Sequence, residues 1–272
     1  MASDPGPLFR AGGPFFLVAG PCVLEDRELN LAVARHLADV SSRLGVPVVF
    51  KASFDKANRS RLDSPRGPGL EAGVALLGEV REATGLPVLT DVHESVQVER
   101  MAGVVDVLQI PAFLCRQTDL ILAAAATGRP LNLKKGQWMA PEEMGLAVQK
   151  AREGGAERLA VTERGTAFGY GRWIVDMRSF ELMREACACP TLFDATHAVQ
   201  LPGAAGGSSG GERRFIETLA RAAVAAGADG LYLEVHPTPE TAPSDAASML
   251  PLDRLEPLLA RALEIREARG GA

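Results

Sequence analysis

Short runs of aliphatic and β-branched residues alternate along this chain with longer stretches whose apolar positions recur every three or four residues. The runs Phe15–Ala19, Val46–Ala52, Pro87–Val92, Val105–Ile110, Leu131–Lys134, Arg158–Thr162, Thr191–Asp194 and Gly230–Val235 have the length and composition of buried strands. Helical spacing marks Leu29–Leu44, Leu70–Thr84, Val96–Ala102, Thr118–Ala126, Pro141–Glu153, Met177–Ala186, Arg214–Ala226 and Leu252–Ala268. Eight strand–helix units joined by mostly short links predict parallel strands with right-handed crossovers. In 272 residues they fit an α/β fold, a closed (β/α)8 TIM barrel, as one domain over 1–272 with 1–13 as a flexible N-terminal extension. An open doubly wound sheet is the alternative, but no Gly-x-Gly-x-x-Gly turn follows the first strand. The units share no repeated wording, which excludes a solenoid.

Composition narrows the function. Hydrophobic residues are 47% and charged residues 23%, as in a globular protein with a large core. A net charge of −5 argues against general nucleic-acid affinity, so an anionic ligand would need local clusters of Lys and Arg. No apolar run approaches the roughly 18 residues of a membrane span. Gly12, Gly13, Pro14, Gly20 and Pro21 interrupt the apolar start too closely for a secretion signal, and a cytoplasmic location is expected. Four cysteines, with Cys187 and Cys189 spaced poorly for bridging, suggest a reducing compartment.

In barrels of this kind the strand C-termini and the loops after them form the active face. Here polar or ionisable residues follow every predicted strand, a placement that stability does not require. Cys22, His197 and Glu234 follow strands one, seven and eight, neighbours in a closed ring, with Asp245 in the next loop. Sulfur, imidazole and carboxylate donors together suit one borderline divalent ion (zinc, iron, manganese or cobalt) and not calcium. His93 and His236 compete for the imidazole role, whereas His36 lies in a helical stretch. Lys51, Lys56, Arg59, Arg116, Lys134, Lys135 and Arg164 form a cationic set that calls for phosphate or carboxylate ligands, although Lys135 alternates with Lys134 and is expected on a solvated face. Asp55, Asp91, Glu94, Glu163 and Asp194 are candidates for proton transfer or hydroxyl alignment. The glycine-rich link Leu201–Arg213 is expected to act as a lid.

The wording at these positions resembles the 3-deoxy-D-manno-octulosonate 8-phosphate synthases. The similarity rests on Lys-Ala-Ser-Phe-Asp-Lys-Ala-Asn-Arg-Ser at 51–60, Arg66-Gly-Pro-Gly-Leu-Glu71, Thr90-Asp-Val-His-Glu94 and the run from Gln109 to Asp119. Asp194-Ala-Thr-His-Ala-Val-Gln200 and Glu234-Val-His-Pro237 complete it, and it spans about Phe16 to Arg266. The resemblance implies a transferase that condenses phosphoenolpyruvate with D-arabinose 5-phosphate for lipopolysaccharide synthesis, in a homotetramer. It implies that Lys51, Gln109, Lys134 and Arg164 hold phosphoenolpyruvate. Asn58, Arg59 and Ser60 would hold the arabinose phosphate, with Arg116 reaching in from a neighbouring subunit. Lys56 and Asp91 would lie near the reacting centre and Phe113 would wall it. Cys22 after Gly-Pro, with Ser244-Asp245 downstream, resembles the metal-dependent branch, making Cys22, His197, Glu234 and Asp245 the implied ligands. The sequence departs from the family's wording at Arg61-Leu62-Asp63 and Gly171-Arg172-Trp173. The related synthases of the seven-carbon sugar acid, acting on a four-carbon aldose, usually read Lys-Pro-Arg-Thr-Ser where this chain has Lys-Ala-Asn-Arg-Ser, so Asn58 favours the five-carbon substrate. A barrel retained only for metal binding or assembly is a further alternative, since fold does not fix function.

Overall fold

The computed structural model describes residues 3–59, 61–201 and 210–270. Eight parallel strands form its centre: β1 Phe16–Gly20, β2 Val48–Lys51, β3 Val88–Asp91, β4 Val107–Ile110, β5 Leu131–Lys134, β6 Leu159–Glu163, β7 Thr191–Asp194 and β8 Gly230–His236. They pair in sequence order, and β8 returns to β1 with Phe16 opposite Gly230 and Gly20 opposite Glu234, which closes the barrel. Eight helices pack outside: α1 Arg27–Leu44, α2 Leu70–Thr84, α3 Ser95–Ala102, α4 Thr118–Ala126, α5 Met144–Glu153, α6 Ser179–Cys187, α7 Ile216–Ala225 and α8 Leu255–Ala268. The predicted strands and helices are all present, with their ends shifted by a few residues at most.

Every residue of these eight strands is buried, because one face meets the helices and the other fills the barrel. Leu17, Val48, Phe50, Val88, Leu108, Leu133 and Leu231 belong to the outer core. Phe16, Val18, Val49, Leu89, Val107, Ala160, Leu192 and Tyr232 pack as a separate inner cluster together with Leu8 and Phe9. The last two correct the expectation of a flexible extension over 1–13. Gly6–Phe9 is a helical turn, Phe9 is 1% exposed, and its ring lies 5.4 Å from that of Phe16. The segment closes the floor of the barrel because the inner apolar residues there would otherwise face water.

Moving up most strands, the inward positions turn polar: Lys51, Asp91, Gln109, Thr162, Asp194 and Glu234 follow inner apolar residues at two-residue spacing, and β5 offers Asn132 and Lys134 in the same alternation. Three short additions shape the open end. Thr166–Ala167 pairs antiparallel with Trp173–Ile174 after β6, and Gln200–Leu201 with Gly210–Gly211 after β7. Leu250–Pro251 adds a parallel pair onto the top of β8, returning the loop that carries Asp245 across the barrel mouth. The lid expected over Leu201–Arg213 falls largely on 202–209, outside the described residues.

Candidate active site at the strand C-termini

The top of β1 lies very close to β2: a Cβ at Gly20 would sit 2.1 Å from the Lys51 carbonyl oxygen. That approach lets Val23 bridge to Ser53 and seats Cys22 over the barrel mouth. The Cys22 thiol is 3.1 Å from Ser244 Oγ and donates to Asp245 Oδ2 at 3.2 Å. Ligand atoms of Cys22, Glu234 and Asp245 all lie within 4.8 Å of one another, the one such group of three among the described residues. His197 Nε2 stands 3.8 Å from both Glu234 Oε1 and Asp245 Oδ2. Its Nδ1 lies 2.6 Å from Asp194 Oδ2, the outer carboxylate arrangement that orients a metal-binding imidazole. Asp245 has a φ of +50°, in the left-handed region that non-glycine residues adopt rarely and Asp more readily than most.

The donor chemistry fits a soft-to-borderline divalent ion. Burial, reinforced by Glu234, pushes the Cys22 thiol well above its usual range, so the free thiolate is disfavoured until a cation compensates. Burial would raise Glu234 too, but Lys51, His197 and Lys56 outweigh it and hold that carboxylate well below its ordinary range. The predicted set of Cys22, His197, Glu234 and Asp245 therefore converges, with His197 set slightly back from the other three.

Beside this group the cations are already matched by carboxylates. Lys51 Nζ donates to Glu234 Oε1 at 2.9 Å and to the Cys22 carbonyl at 3.1 Å, with Asp91 Oδ2 at 3.8 Å. Lys56 Nζ stands 3.7 Å from Glu234 Oε1. Burial would lower both ammonium groups. For Lys51, Glu234 and Asp91 reverse this, and for Lys56 Cys22 and Glu234 do, so both stay firmly protonated. Lys134 pairs with Asp194 and lies 3.7 Å from the centroid of the Tyr232 ring. Burial prevails over Asp194 there and lowers the lysine, and burial likewise lowers Arg164.

A hydrogen-bonded chain runs across the inner layer. Thr162 donates to Asn132 Oδ1 at 2.7 Å, and Asn132 donates to Gln109 Oε1 at 2.7 Å. Gln109 then donates to Asp91, which also accepts from Ser53. Asp91 is held below the usual carboxylate range because Lys51 and Lys56 outweigh the effect of burial. Arg164 Nη2 donates to Gln200 Oε1 at 2.7 Å, and Gln200 Nε2 donates to Asp245 Oδ1 at 2.9 Å, linking cation cluster and metal-type group.

The other expected residues lie in the loops after β2 and β4. Asn58 is exposed, and Arg59 is held in its loop by the carbonyls of Pro65 at 2.8 Å and Pro243 at 2.7 Å. Ser60 lies outside the described residues. Phe113 and Arg116 are exposed at the rim, Phe113 beside Trp138 with ring centroids 6.0 Å apart.

One sequence expectation is corrected here. Lys135 is fully buried, not solvated, and its ammonium meets Glu163 at 3.5 Å and Thr166 Oγ1 at 3.0 Å outside the barrel wall. Glu163 faces that ammonium, Glu94 caps α3 and Asp55 pairs with Arg66, so each has a partner outside the donor group. His93 packs edge-on against Phe54 and His236 meets Glu25 at 3.1 Å, whereas His197 stands beside Glu234 and Asp245 of the donor group. Sequence reasoning missed Ser53, Asn132, Thr162, Gln200 and Tyr232. The two-residue period from Lys134 and Glu234 reaches Asn132 and Tyr232; Gln200 carries no such signal.

Comparison with known proteins bears on this geometry. The DAHP synthetase I family matches residues 9–269. A protein of Syntrophotalea carbinolica is 56% identical over 257 residues, covering 94% of this chain and 92% of the relative. One of a Synechococcus species is 55% identical over 257 residues, with 94% and 90% covered. One of Bordetella petrii is 54% identical over 258 residues, with 93% and 90% covered. All three are named 2-dehydro-3-deoxyphosphooctonate aldolase.

Proposed function

The chain belongs to the DAHP synthetase I family, and from that premise we propose that it condenses phosphoenolpyruvate with D-arabinose 5-phosphate and water. The products are 3-deoxy-D-manno-octulosonate 8-phosphate and inorganic phosphate, a step toward lipopolysaccharide. The 2-dehydro-3-deoxyphosphooctonate name of its relatives supports this substrate over the four-carbon aldose. The observation that carries the reading is the meeting of Lys51, Lys134 and Arg164 with the Cys22–Glu234–Asp245 group inside one barrel mouth.

Phosphoenolpyruvate is assigned to Lys51, Gln109, Lys134 and Arg164, whose charges suit its phosphate and carboxylate. The aldose phosphate is assigned to Asn58, Arg59 and Ser60, completed by Arg116 of a neighbouring subunit in a homotetramer, with Phe113 as a wall. The C3 carbon of the enol attacks the sugar aldehyde, water adds at C2, and phosphate leaves by C–O cleavage. Lys56, held protonated, is placed to give a proton to the aldehyde oxygen, and Asp91 to orient the attacking water. Cys22, His197, Glu234 and Asp245 would hold a divalent ion (zinc, iron, manganese or cobalt), which would supply Lewis acidity when bound. Holding both substrates in line supplies the entropic part of catalysis. The cytoplasm, where both phosphorylated substrates are made, is the proposed location; no described helix is long and apolar enough to cross a membrane.

The test is phosphate release from phosphoenolpyruvate with arabinose 5-phosphate or erythrose 4-phosphate, before and after chelation and metal replacement. Turnover with the five-carbon sugar alone, lost on chelation and restored by metal, is expected. Preference for erythrose 4-phosphate would refute the substrate, and activity surviving verified metal removal would refute the metal's role.

A further inference from the structure

The link after β6 folds back on itself, with Thr166 opposite Ile174 and Ala167 opposite Trp173. Gly165 permits the turn: its φ is +91°, and a Cβ there would meet Trp173 Cβ at 2.7 Å. Arg172 Nη1 then reaches Glu212 Oε2 at 3.2 Å, tying the hairpin to the chain that enters α7. The Glu212 amide in turn donates to the Val199 carbonyl at 2.9 Å. These constraints bring the Trp173 ring against Arg164, with the guanidinium carbon 5.4 Å from the ring centroid.

Both partners keep a spare donor. Arg164 commits Nη2 to Gln200, while its Nη1 is buried without a hydrogen-bond partner. The Trp173 Nε1–H is also buried and unpartnered. Burying an unpaired donor is unfavourable, and an aliphatic side chain would fill the same place without that loss. Packing alone therefore does not account for an indole here, at one of the positions where the sequence departs from the wording it otherwise resembles. A guanidinium lowered by burial is the partner an aromatic face helps most, because the ring quadrupole offsets part of its lost hydration.

We propose that Trp173 is the positioning residue of the anion seat. Its face stacks on the Arg164 guanidinium and, with Gln200 on Nη2, fixes the fork so that Nη1 meets the phosphate or carboxylate of phosphoenolpyruvate. The inference rests on the assignment of Arg164 to that substrate, and the experiment separates the two. In the full-length, metal-loaded enzyme, Trp173→Leu raises the KM for phosphoenolpyruvate about tenfold, while the KM for arabinose 5-phosphate moves less than about twofold and kcat falls less than KM rises. Trp173→Phe, which keeps a ring face, recovers most of the loss. In an Arg164→Met background, Trp173→Leu adds nothing further.

The chain has two tryptophans, so Trp138→Phe leaves Trp173 as the only indole reporter. Its emission is expected to change saturably with phosphoenolpyruvate, and to lose that response when Arg164→Met is added. An unchanged KM in Trp173→Leu, an equal rise in the Arg164→Met background, or a silent Trp173 emission would each overturn the inference alone. An unchanged KM for phosphoenolpyruvate in Arg164→Met would overturn the assignment of Arg164, and the inference with it.

Discussion

Lys134 and Lys135 follow one another at the end of β5, and the pleat sends their ammonium groups to opposite faces. Lys134 enters the barrel and pairs with Asp194, over Tyr232. Lys135 goes outward, fully buried, to Glu163 and Thr166. Breaking a buried ion pair by removing one member costs roughly 3–5 kcal/mol. Lys135→Met is therefore expected to lower the urea midpoint by that stability, with the KM for phosphoenolpyruvate changed by less than about twofold. Lys134→Met is expected to do the converse, raising that KM at least about tenfold. Urea titration and steady-state kinetics of both variants decide this; a Lys135→Met enzyme as stable as the parent would remove the structural role. Both lysines are visible in the sequence as a pair. Their division of labour follows from strand alternation, but the burial of the outward one depends on the hairpin after β6 covering it.

The element that sequence patterning misjudged is the segment before β1. Prolines at Pro5 and Pro7 and glycines at Gly12 and Gly13 leave it without the period of a helix or strand, which is why it reads as an extension. Its two large apolar residues, Leu8 and Phe9, nevertheless join the inner cluster of the barrel. Phe9→Ala should cost about 3–5 kcal/mol, and a fall in Tm on the order of 10 °C is expected by calorimetry with kcat little changed. A Tm within about a degree of the parent would mean that the barrel floor does not depend on this ring. The strands themselves are legible because both faces are buried and apolar residues dominate most of them. The short pairings after β6, β7 and β8 were not, since two-residue strands carry no period to detect.

For the whole molecule, the open end of the barrel carries more exposed aromatic surface than an isolated subunit needs. Phe113 is 55% and Trp138 52% exposed and in mutual contact, while Phe168 and Tyr170 meet edge to face nearby in sequence, at 65% and 69%. Such residues are enriched at subunit interfaces. The proposed homotetramer predicts a light-scattering mass near four times the 28.7 kDa chain. Phe113→Asp is expected to shift that mass downward and to reduce activity, since Arg116 would then no longer reach a neighbouring site. A fully active monomer would refute the assembly and the shared arginine together.

Local patterning is enough to define the eight-unit barrel, the end at which polar side chains gather and most of the ionisable residues found there. Those features follow from local periodicity and from the rule that loops after parallel strands face one side. Which carboxylates face the inner lysines and which are engaged elsewhere depends on the closed barrel. Asp91, Asp194 and Glu234 face inward among the lysines, whereas Glu163 and Glu94 are taken up by Lys135 and a helix cap. It also decided that His197, and not His93 or His236, stands beside Cys22, Glu234 and Asp245. Distance along the chain accounts for this. Cys22 and Asp245 lie 223 residues apart and meet only because β8 closes on β1, an event no local pattern records.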